Sequence, residues 1–586
     1  MDDLTRLHDA SASVVTKSGS DWGRLAPGTL FAGRFRIMHR IPIPRSTDSL
    51  RDRAREIIER IGYREPPYDT AEGWSINRDY FAYEAQRVGG TNSSSRPSGA
   101  HCWIDMDSEA FRRHGHELVD WVADYLEHSD KYPVLARVKP GDITRALPDS
   151  APEDPESFAA IMADFERVLL PGVTHWNHPG FMAYFAITGS PPGVLSDFLS
   201  AALNQQAMLW RTSPAATELE AVTLEWLRRL LGLPDTFEGV IYDTASIATM
   251  HALVAARQAA IAGVRTKGLA GRSDLTRVRV YCSDQTHSSI DKSVITIGLG
   301  HKSLRRIPTD DDFRMPVDAL ADAIAEDRAA GVLPIAVVPT VGTTSSTSID
   351  PVPAIAEICE RERIWMHVDA AYGGAAAMLP SHAHIFAGVD RADSLVVNPH
   401  KWLLTPFDLS AFYCRRMDVL REAFALTPEY LRTREAGTVN NLMDTGIQLG
   451  RRFRALKLWM ILRSYGARAI RAHLSEHIRL AQQLASWIDA HPDFERLAPV
   501  PLSVVCFRWK PAHAALTEPE LDAANERLLE AVNETGEVFL SHTRLNGRLA
   551  LRVAIGHLKT TEHHVRRAWD LLVEHAPNAI TSTDRS

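Results

Sequence analysis

The run Asn398-Pro399-His400-Lys401-Trp402 places a lysine 32 positions after Asp369, which itself ends the apolar stretch Ile364-Trp365-Met366-His367-Val368. A primary amine condenses with an aldehyde to an imine and can later exchange it for another amine. A carboxylate just beyond an apolar strand can pair with a protonated pyridine nitrogen, and the cationic ring then withdraws electrons from a neighbouring carbon. These are the two groups needed to hold and activate pyridoxal 5'-phosphate, a cofactor that carries the hard chemistry itself. A surface lysine is normally solvated, whereas Lys401 lies between an apolar strand and Trp402-Leu403-Leu404. The pairing does not say which bond breaks.

Further polar groups fall just beyond apolar runs. His287, in Asp284-Gln285-Thr286-His287-Ser288-Ser289, offers an imidazole that could lie flat on a pyridine ring and also approach a reacting carboxylate. Tyr242-Asp243-Thr244-Ala245-Ser246 leads into a helical pattern, so the amide of Ala245 and the hydroxyl of Ser246 can meet a phosphate at a positive helix end. An ordinary N-cap serine would look the same. Thr344 and Asn398 are further polar neighbours, and His400 is counted with the cofactor set. His367 either supports Asp369 or packs in the core. No Rossmann fingerprint, Walker loop or HExxH motif competes with this set.

Such groups need a scaffold that collects them. Short β-branched runs at 278–281, 335–338, 364–368 and 394–397 alternate with helical patterns near 246–262, 318–330 and 353–361. This predicts an α/β fold with a mostly parallel central sheet covered on both faces. Ligands then gather at the carboxyl ends of the strands, where His287, Thr344, Asp369 and Lys401 all fall. A long helical pattern is expected from Arg451. Strand-like runs at 502–507 and 549–554 flank a helix near 521–535, which reads as a smaller α/β domain. The expected organisation is therefore an atypical or poorly ordered extension over 1–102, an arm over 103–190, a large domain over 191–480 and a small C-terminal domain over 481–586.

The 586-residue chain carries a formal charge of -8, so no general attraction to nucleic acid or anionic membrane is expected. No segment approaches the roughly 20 apolar residues of a membrane span. The five cysteines form no CxxC pair and the first residues lack a signal-peptide pattern, so a cytoplasmic setting is expected.

These residues resemble the aromatic L-amino acid decarboxylase family, the group II pyridoxal-phosphate-dependent decarboxylases, over about residues 103–575. The resemblance rests on Pro171 to Trp176, Ser213-Pro214-Ala215, Thr217 to Glu220, Asp284 to Ser289, Gly342-Thr343-Thr344, His367 to Tyr372, Asn398 to Leu404 and Leu449 to Arg454. It implies a fold-type-I homodimer with shared active sites, whose arm wraps the partner. It also implies that Lys401 forms the imine, Asp369 pairs with the pyridine nitrogen and His287 stacks on the ring. Ala245, Ser246 and Asn398 fall at phosphate-contact positions, while Thr344, His367 and Ala371 surround the cofactor. Trp176, Tyr184, Phe185, Gln206, Met208 and Phe407 fall at positions lining the substrate pocket.

The expected reaction removes the carboxylate of an L-amino acid, with an aromatic one favoured, to give an amine and carbon dioxide. The family's proton donor is a tyrosine, expected here between Tyr430 and Gly446. Counting back from Leu449-Gly450-Arg451-Arg452 places Leu442 at that position, or Thr445 with a shift of three, so the tyrosine is expected to be missing. Relatives with phenylalanine there give an aldehyde and ammonia by a decarboxylation-dependent oxidation. Two more readings stay open: decarboxylation of an acidic amino acid, motivated by Arg211 and Gln206, and a non-catalytic descendant of the fold.

Overall fold

The computed structural model describes residues 106–426 and 439–580 together with strands β1 (Thr29–Phe31) and β2 (Phe35–Ile37), which pair antiparallel. Met1–Met106 and Asp107–Ser586 are separate compact units. The expected extension over 1–102 otherwise lies outside the described residues.

The larger unit is built on strands β3 (Glu238–Tyr242), β4 (Val278–Ser283), β5 (Leu304–Ile307), β6 (Leu333–Val338), β7 (Trp365–Asp369), β8 (Ser394–Val397) and β9 (Ser410–Cys414), in the order β3-β9-β8-β7-β6-β4-β5. Neighbouring pairs are parallel except those that β9 makes with β3 and β8. Strands covered on both faces must be apolar on both. Val280 and Cys282 pack on one side of the sheet with Ala336, Val396 and Phe412, while Tyr281 packs on the other with Val337, Leu395 and Ala411.

Before the sheet come α1 (Ser108–Glu127), α2 (Pro191–Leu203) and α3 (Pro214–Leu230). The first sheet face is covered by α4 (Ala245–Ala260) and α5 (Ser289–Thr296), the second by α3, α6 (Val317–Ala329) and α7 (Val352–Glu362). The short α8 (Pro399–Trp402) leaves β8 and carries Lys401. Farther along, α9 (Ala455–Ala490) breaks at Gly466, whose φ of 71° is easy only for glycine. Its second half packs against an antiparallel sheet of β10 (Phe494–Arg496), β11 (Val504–Trp509), β12 (Ser541–Leu545) and β13 (Arg548–Ala554), backed by α10 (Glu518–Glu534) and α11 (Glu562–His575).

The helix expected from Arg451 starts four residues later because Arg451 has another task. Its guanidinium reaches Glu220 at 2.6 Å and the carbonyl of Ile241 at 2.9 Å, while Glu220 also accepts the Ile241 amide at 2.8 Å. Both side chains are buried, so this pair ties α3, the edge strand β3 and the approach to α9 together. Removing one member strands the other charge away from water. Glu220→Ala is expected to destabilise the protein by about 3–5 kcal/mol, read as a lowered unfolding midpoint, with Glu220→Gln losing less.

Candidate active site

At the carboxyl ends of β4, β7 and β8 the chain brings together one amine, one carboxylate and one imidazole. Among the described residues the Lys401 amine makes no hydrogen bond or ion pair; it lies 5.1 Å from the centroid of the Phe185 ring. Burial pushes its pKa down, opposed by the charge of Asp369 and reinforced by that of Arg552. Asp369, the last residue of β7, is 5% exposed and accepts the Ala371 amide at 3.1 Å. His287 stands in the turn after β4. Its Nδ1 accepts the Ser289 amide at 3.1 Å, which leaves the proton on Nε2. Desolvation lowers its pKa, Asp369 opposes that shift and Lys401 adds to it, so the ring is held neutral.

A second cluster suits a phosphate. Helix α4 opens at Ala245 with Thr244 as N-cap, and the Thr244 side chain bonds Asp243 instead of capping the helix. The first helical bond runs from the Ala248 amide to the Thr244 carbonyl. The amides of Ala245, Ser246 and Ile247 therefore have no helical partner. The hydroxyls of Ser246 and Thr344 are exposed and make no hydrogen bond among the described residues. Asn398 accepts the Ser410 hydroxyl at 2.6 Å, and its backbone amide reaches the carbonyl of Ala371 at 2.9 Å. His400 accepts the Leu409 amide at 3.0 Å through Nδ1, and burial brings its pKa down to about 3.

Aromatic rings wall one side. Phe185 stacks on Tyr372 with centroids 3.9 Å apart, and Trp176 lies 4.2 Å from Phe181 and 6.1 Å from Tyr184. Phe407 is exposed, 4.9 Å from the ring of His400.

Three sets of expected residues have other surroundings within the single chain. His367 is fully buried, with one ring nitrogen at 3.2 Å from the Thr249 hydroxyl and the other at 3.0 Å from that of Ser394. Burial lowers its pKa to about 4. It is a buried, neutral histidine whose two ring nitrogens are both occupied by hydroxyl partners. Gln206 and Met208 are not brought to Lys401 within one chain. Gln206 accepts the Arg451 amide at 2.8 Å and lines a separate cavity of about 480 Å³ with Gln448, Arg452 and Arg454, while Met208 packs against Leu209 and Met443.

Leu442 and Thr445 are the third. Both are buried in a short turn, Leu442 within the core beneath α4, and the Thr445 hydroxyl donates back to the Leu442 carbonyl at 2.6 Å. The turn is fixed further by the Tyr242 hydroxyl, which donates to the Thr445 carbonyl. The position reached by counting therefore falls in a buried turn rather than in an open loop. The one tyrosine between Ala425 and Gly446 is Tyr430, which lies outside the described residues.

One residue escaped the sequence reading. Arg552 of β13 is 4% exposed, lies 4.6 Å from the Phe185 centroid and donates to the carbonyls of Ser345 (2.9 Å) and Tyr184. Its Nη2 is buried without a partner among the described residues. The available signal was an arginine inside the apolar strand Leu549-Ala550-Leu551-Arg552-Val553-Ala554, where a charge is rare unless paired.

An unpaired amine, a buried carboxylate, bare helix-start amides and free hydroxyls fit the aldehyde, pyridine nitrogen and phosphate of pyridoxal phosphate. The fold and site thus define a fold-type-I pyridoxal-phosphate enzyme. The pyridoxal-dependent decarboxylase conserved domain matches residues 140–510, and the chain belongs to that family of amino-acid decarboxylases. It is 40% identical over 481 residues to phenylacetaldehyde synthase of Arabidopsis thaliana, covering 80% of this chain and 96% of that protein. It is also 40% identical to the aromatic-L-amino-acid decarboxylase of Sus scrofa, over 79% of this chain and 96% of the relative. The solved structure of Oryza sativa TDC with PLP and tryptamine superposes with a TM-score of 0.79 at 37% identity, over 82% of this chain and all of that one.

A hydrogen bond to a charged group contributes about 1.5–3 kcal/mol. Ser246→Ala is therefore expected to weaken pyridoxal phosphate binding by roughly tenfold to a hundredfold, measured by titrating the cofactor into the stripped enzyme.

Proposed function

We propose that this enzyme decarboxylates an aromatic L-amino acid to its amine and carbon dioxide, with Lys401 as the residue that bonds pyridoxal phosphate. The observation that carries the reading is the Lys401 amine, deprived of polar partners and placed on Phe185 within the fields of Asp369 and Arg552. Bound pyridoxal phosphate supplies an electron sink for the pair released when the Cα–carboxylate bond breaks. Ala245, Ser246, Thr344 and Asn398 hold the phosphate end, and Asp369 keeps the pyridine nitrogen protonated. His287, neutral with its proton on Nε2, covers the ring face and holds a proton near the departing carboxylate. Arg552 offers its unpaired Nη2 to the substrate carboxylate, a charge-assisted bond available only after both partners are desolvated. Trp176, Tyr184 and Phe185 supply an apolar wall for an aromatic side chain.

The return of a proton to Cα sets the product. Tyr430 is the phenol of its segment, and we assign it the donor role that Leu442 and Thr445 cannot fill. Without that donor, consumption of oxygen and water to give carbon dioxide, an aldehyde, ammonia and hydrogen peroxide would compete with amine formation. The similarity to a phenylacetaldehyde synthase keeps this second reading in play, whereas a tyrosine at 430 favours the amine. Acidic substrates find less support, because the Gln206 carbonyl oxygen is committed to the Arg451 amide.

The proposal includes a homodimer. No residue of α1 is buried, and Leu195, Phe198, Leu199 and Leu203 leave α2 with an exposed apolar face. A second copy would cover these faces and could bring Gln206, Met208 and Phe407 to a shared site. The arm over 103–190, the large domain over 191–480 and the small domain over 481–586 belong to the same reading. So does a cytoplasmic setting, supported by four free, buried cysteines. No helix among the described residues is long and apolar enough to cross a membrane.

Lys401→Ala should remove the visible absorbance of the bound cofactor and nearly all turnover; persistence of both would defeat the assignment. Arg552→Met is expected to raise KM by roughly tenfold to a hundredfold, with a smaller loss in kcat. Because the His287 pKa lies below its ordinary value, the neutral ring persists as pH falls. Turnover should drop only as pH passes through that lowered pKa, and His287→Gln should lose this acid limb. Tyr430→Phe should slow amine formation by about 10²–10⁴-fold and turn the product towards aldehyde with peroxide, whereas Leu442→Tyr should leave the product unchanged. Wild-type amine output from Tyr430→Phe would exclude Tyr430 as donor.

A further inference from the structure

Lys401 is followed by Trp402, and the indole points away from the site into a fully buried layer. Its ring stacks on Tyr372 with centroids 4.6 Å apart and planes within 5°, and Tyr372 stacks in turn on Phe185. Phe185 is the ring over which both Lys401 and Arg552 lie. The stack therefore starts at residue 402, crosses two rings and returns to the amine of residue 401. Flat faces slide easily over one another, so stacking alone fixes the spacing of the rings but not their rotation.

Rotation is fixed at the far end. The Trp402 indole N–H donates to Nδ1 of His477 at 2.9 Å, and the two ring planes are parallel within 5°. His477 Nε2 donates to the carbonyl of His557 at 3.1 Å, just beyond β13, the strand of Arg552. Only one neutral tautomer satisfies both bonds, with a bare Nδ1 and a proton on Nε2. The Tyr372 hydroxyl is held as well, 2.5 Å from the Ser503 hydroxyl. No contact joins His477 to Lys401 directly; of the three rings between them, Trp402 and Tyr372 are held by hydrogen bonds and Phe185 by its stack on Tyr372.

We propose that His477 is a positioning residue for Lys401: its Nδ1 orients Trp402, and the Trp402–Tyr372–Phe185 stack transmits that orientation to the surface carrying the reactive amine and Arg552. This rests on Lys401 being the cofactor-bonding lysine. The acceptor at Nδ1 is the part that matters, and the donor at Nε2 serves mainly to hold the tautomer. Asparagine can place an oxygen near the Nδ1 position, whereas glutamine places its terminal amide near Nε2.

The test compares His477→Asn, His477→Gln and His477→Leu in the holoenzyme and in the protein stripped of cofactor, with Lys401→Ala as control. A misplacement on the order of 1 Å can cost about a hundredfold in rate. His477→Leu and His477→Gln are accordingly expected to lower kcat by about tenfold or more, with KM changed less. His477→Asn should keep most of the wild-type rate. Near-ultraviolet circular dichroism of the stripped protein reads the ring stack without any contribution from turnover, and its aromatic signal should be lost in the Leu and Gln variants and kept in Asn. The idea is overturned if Asn and Gln fall equally, or if all three keep the wild-type kcat and aromatic signal. A change confined to the unfolding midpoint also overturns it, since a purely structural histidine would give that. Survival of turnover in Lys401→Ala would instead defeat the underlying assignment of the lysine.

Discussion

A lysine that reacts as a nucleophile near neutral pH must have its charged form disfavoured without being pushed out of reach of its target. With Lys401 in its proposed role, that constraint is met by withholding partners. The Lys401 amine has an aromatic face and a cationic neighbour, and its one opposing influence is the carboxylate of Asp369. Each of these neighbours comes from a different part of the chain: Asp369 from the end of β7, Phe185 from the stretch before α2, and Arg552 from the small sheet. The relation between the two sheets is thus a condition of the chemistry, because it sets the charge around one nitrogen.

That relation is built from buried polar contacts as well as packing. Tyr372 reaches Ser503, Arg552 reaches Ser345, and His477 joins Trp402 to the carbonyl of His557. Each group is withdrawn from water and would be costly to leave unmatched. Apolar surfaces alone would tolerate small shifts between the sheets, whereas these bonds have narrow distance and angle limits. The unpaired Nη2 of Arg552 is one of several buried polar atoms without a partner among the described residues, and it lies on the side chain that faces Phe185. In the proposed reaction this open donor is the one that meets the substrate carboxylate.

Much of this was legible in the sequence. The strands carrying Asp369 and leading to Lys401 are short runs of apolar residues, a local signal, and they appear as β7 and β8 close to the expected positions. Lys401, Asp369, His287 and the start of α4 follow because ligands collect where such strands end. Less local features were harder. Strands β3 and β9 were not singled out, and nothing in Ser410–Cys414 reveals that it runs against its neighbours. The helix expected at Arg451 failed because a partner far away in sequence, Glu220, claims that side chain. Counting residues back to Leu442 led to a buried turn, since a fixed motif gives no register across a connection of variable length. Arg552 was hidden because its meaning depends on Phe185 and Lys401, which only the fold brings beside it.

Helix α1 has a consequence for how this protein is made. Its twenty residues touch their own chain along one side, through Trp121 on Phe165 and Tyr125 on His175, yet bury no side chain fully, and most helical stability in proteins comes from packing of an amphipathic face. In the proposed dimer the segment's exposed face is covered when a second copy arrives, so its protection is governed by mass action. A newly made chain at low concentration would then have a completed catalytic sheet while its arm remained open to proteases and chaperones. Abundance and maturation would be coupled through a helix that takes no part in the chemistry.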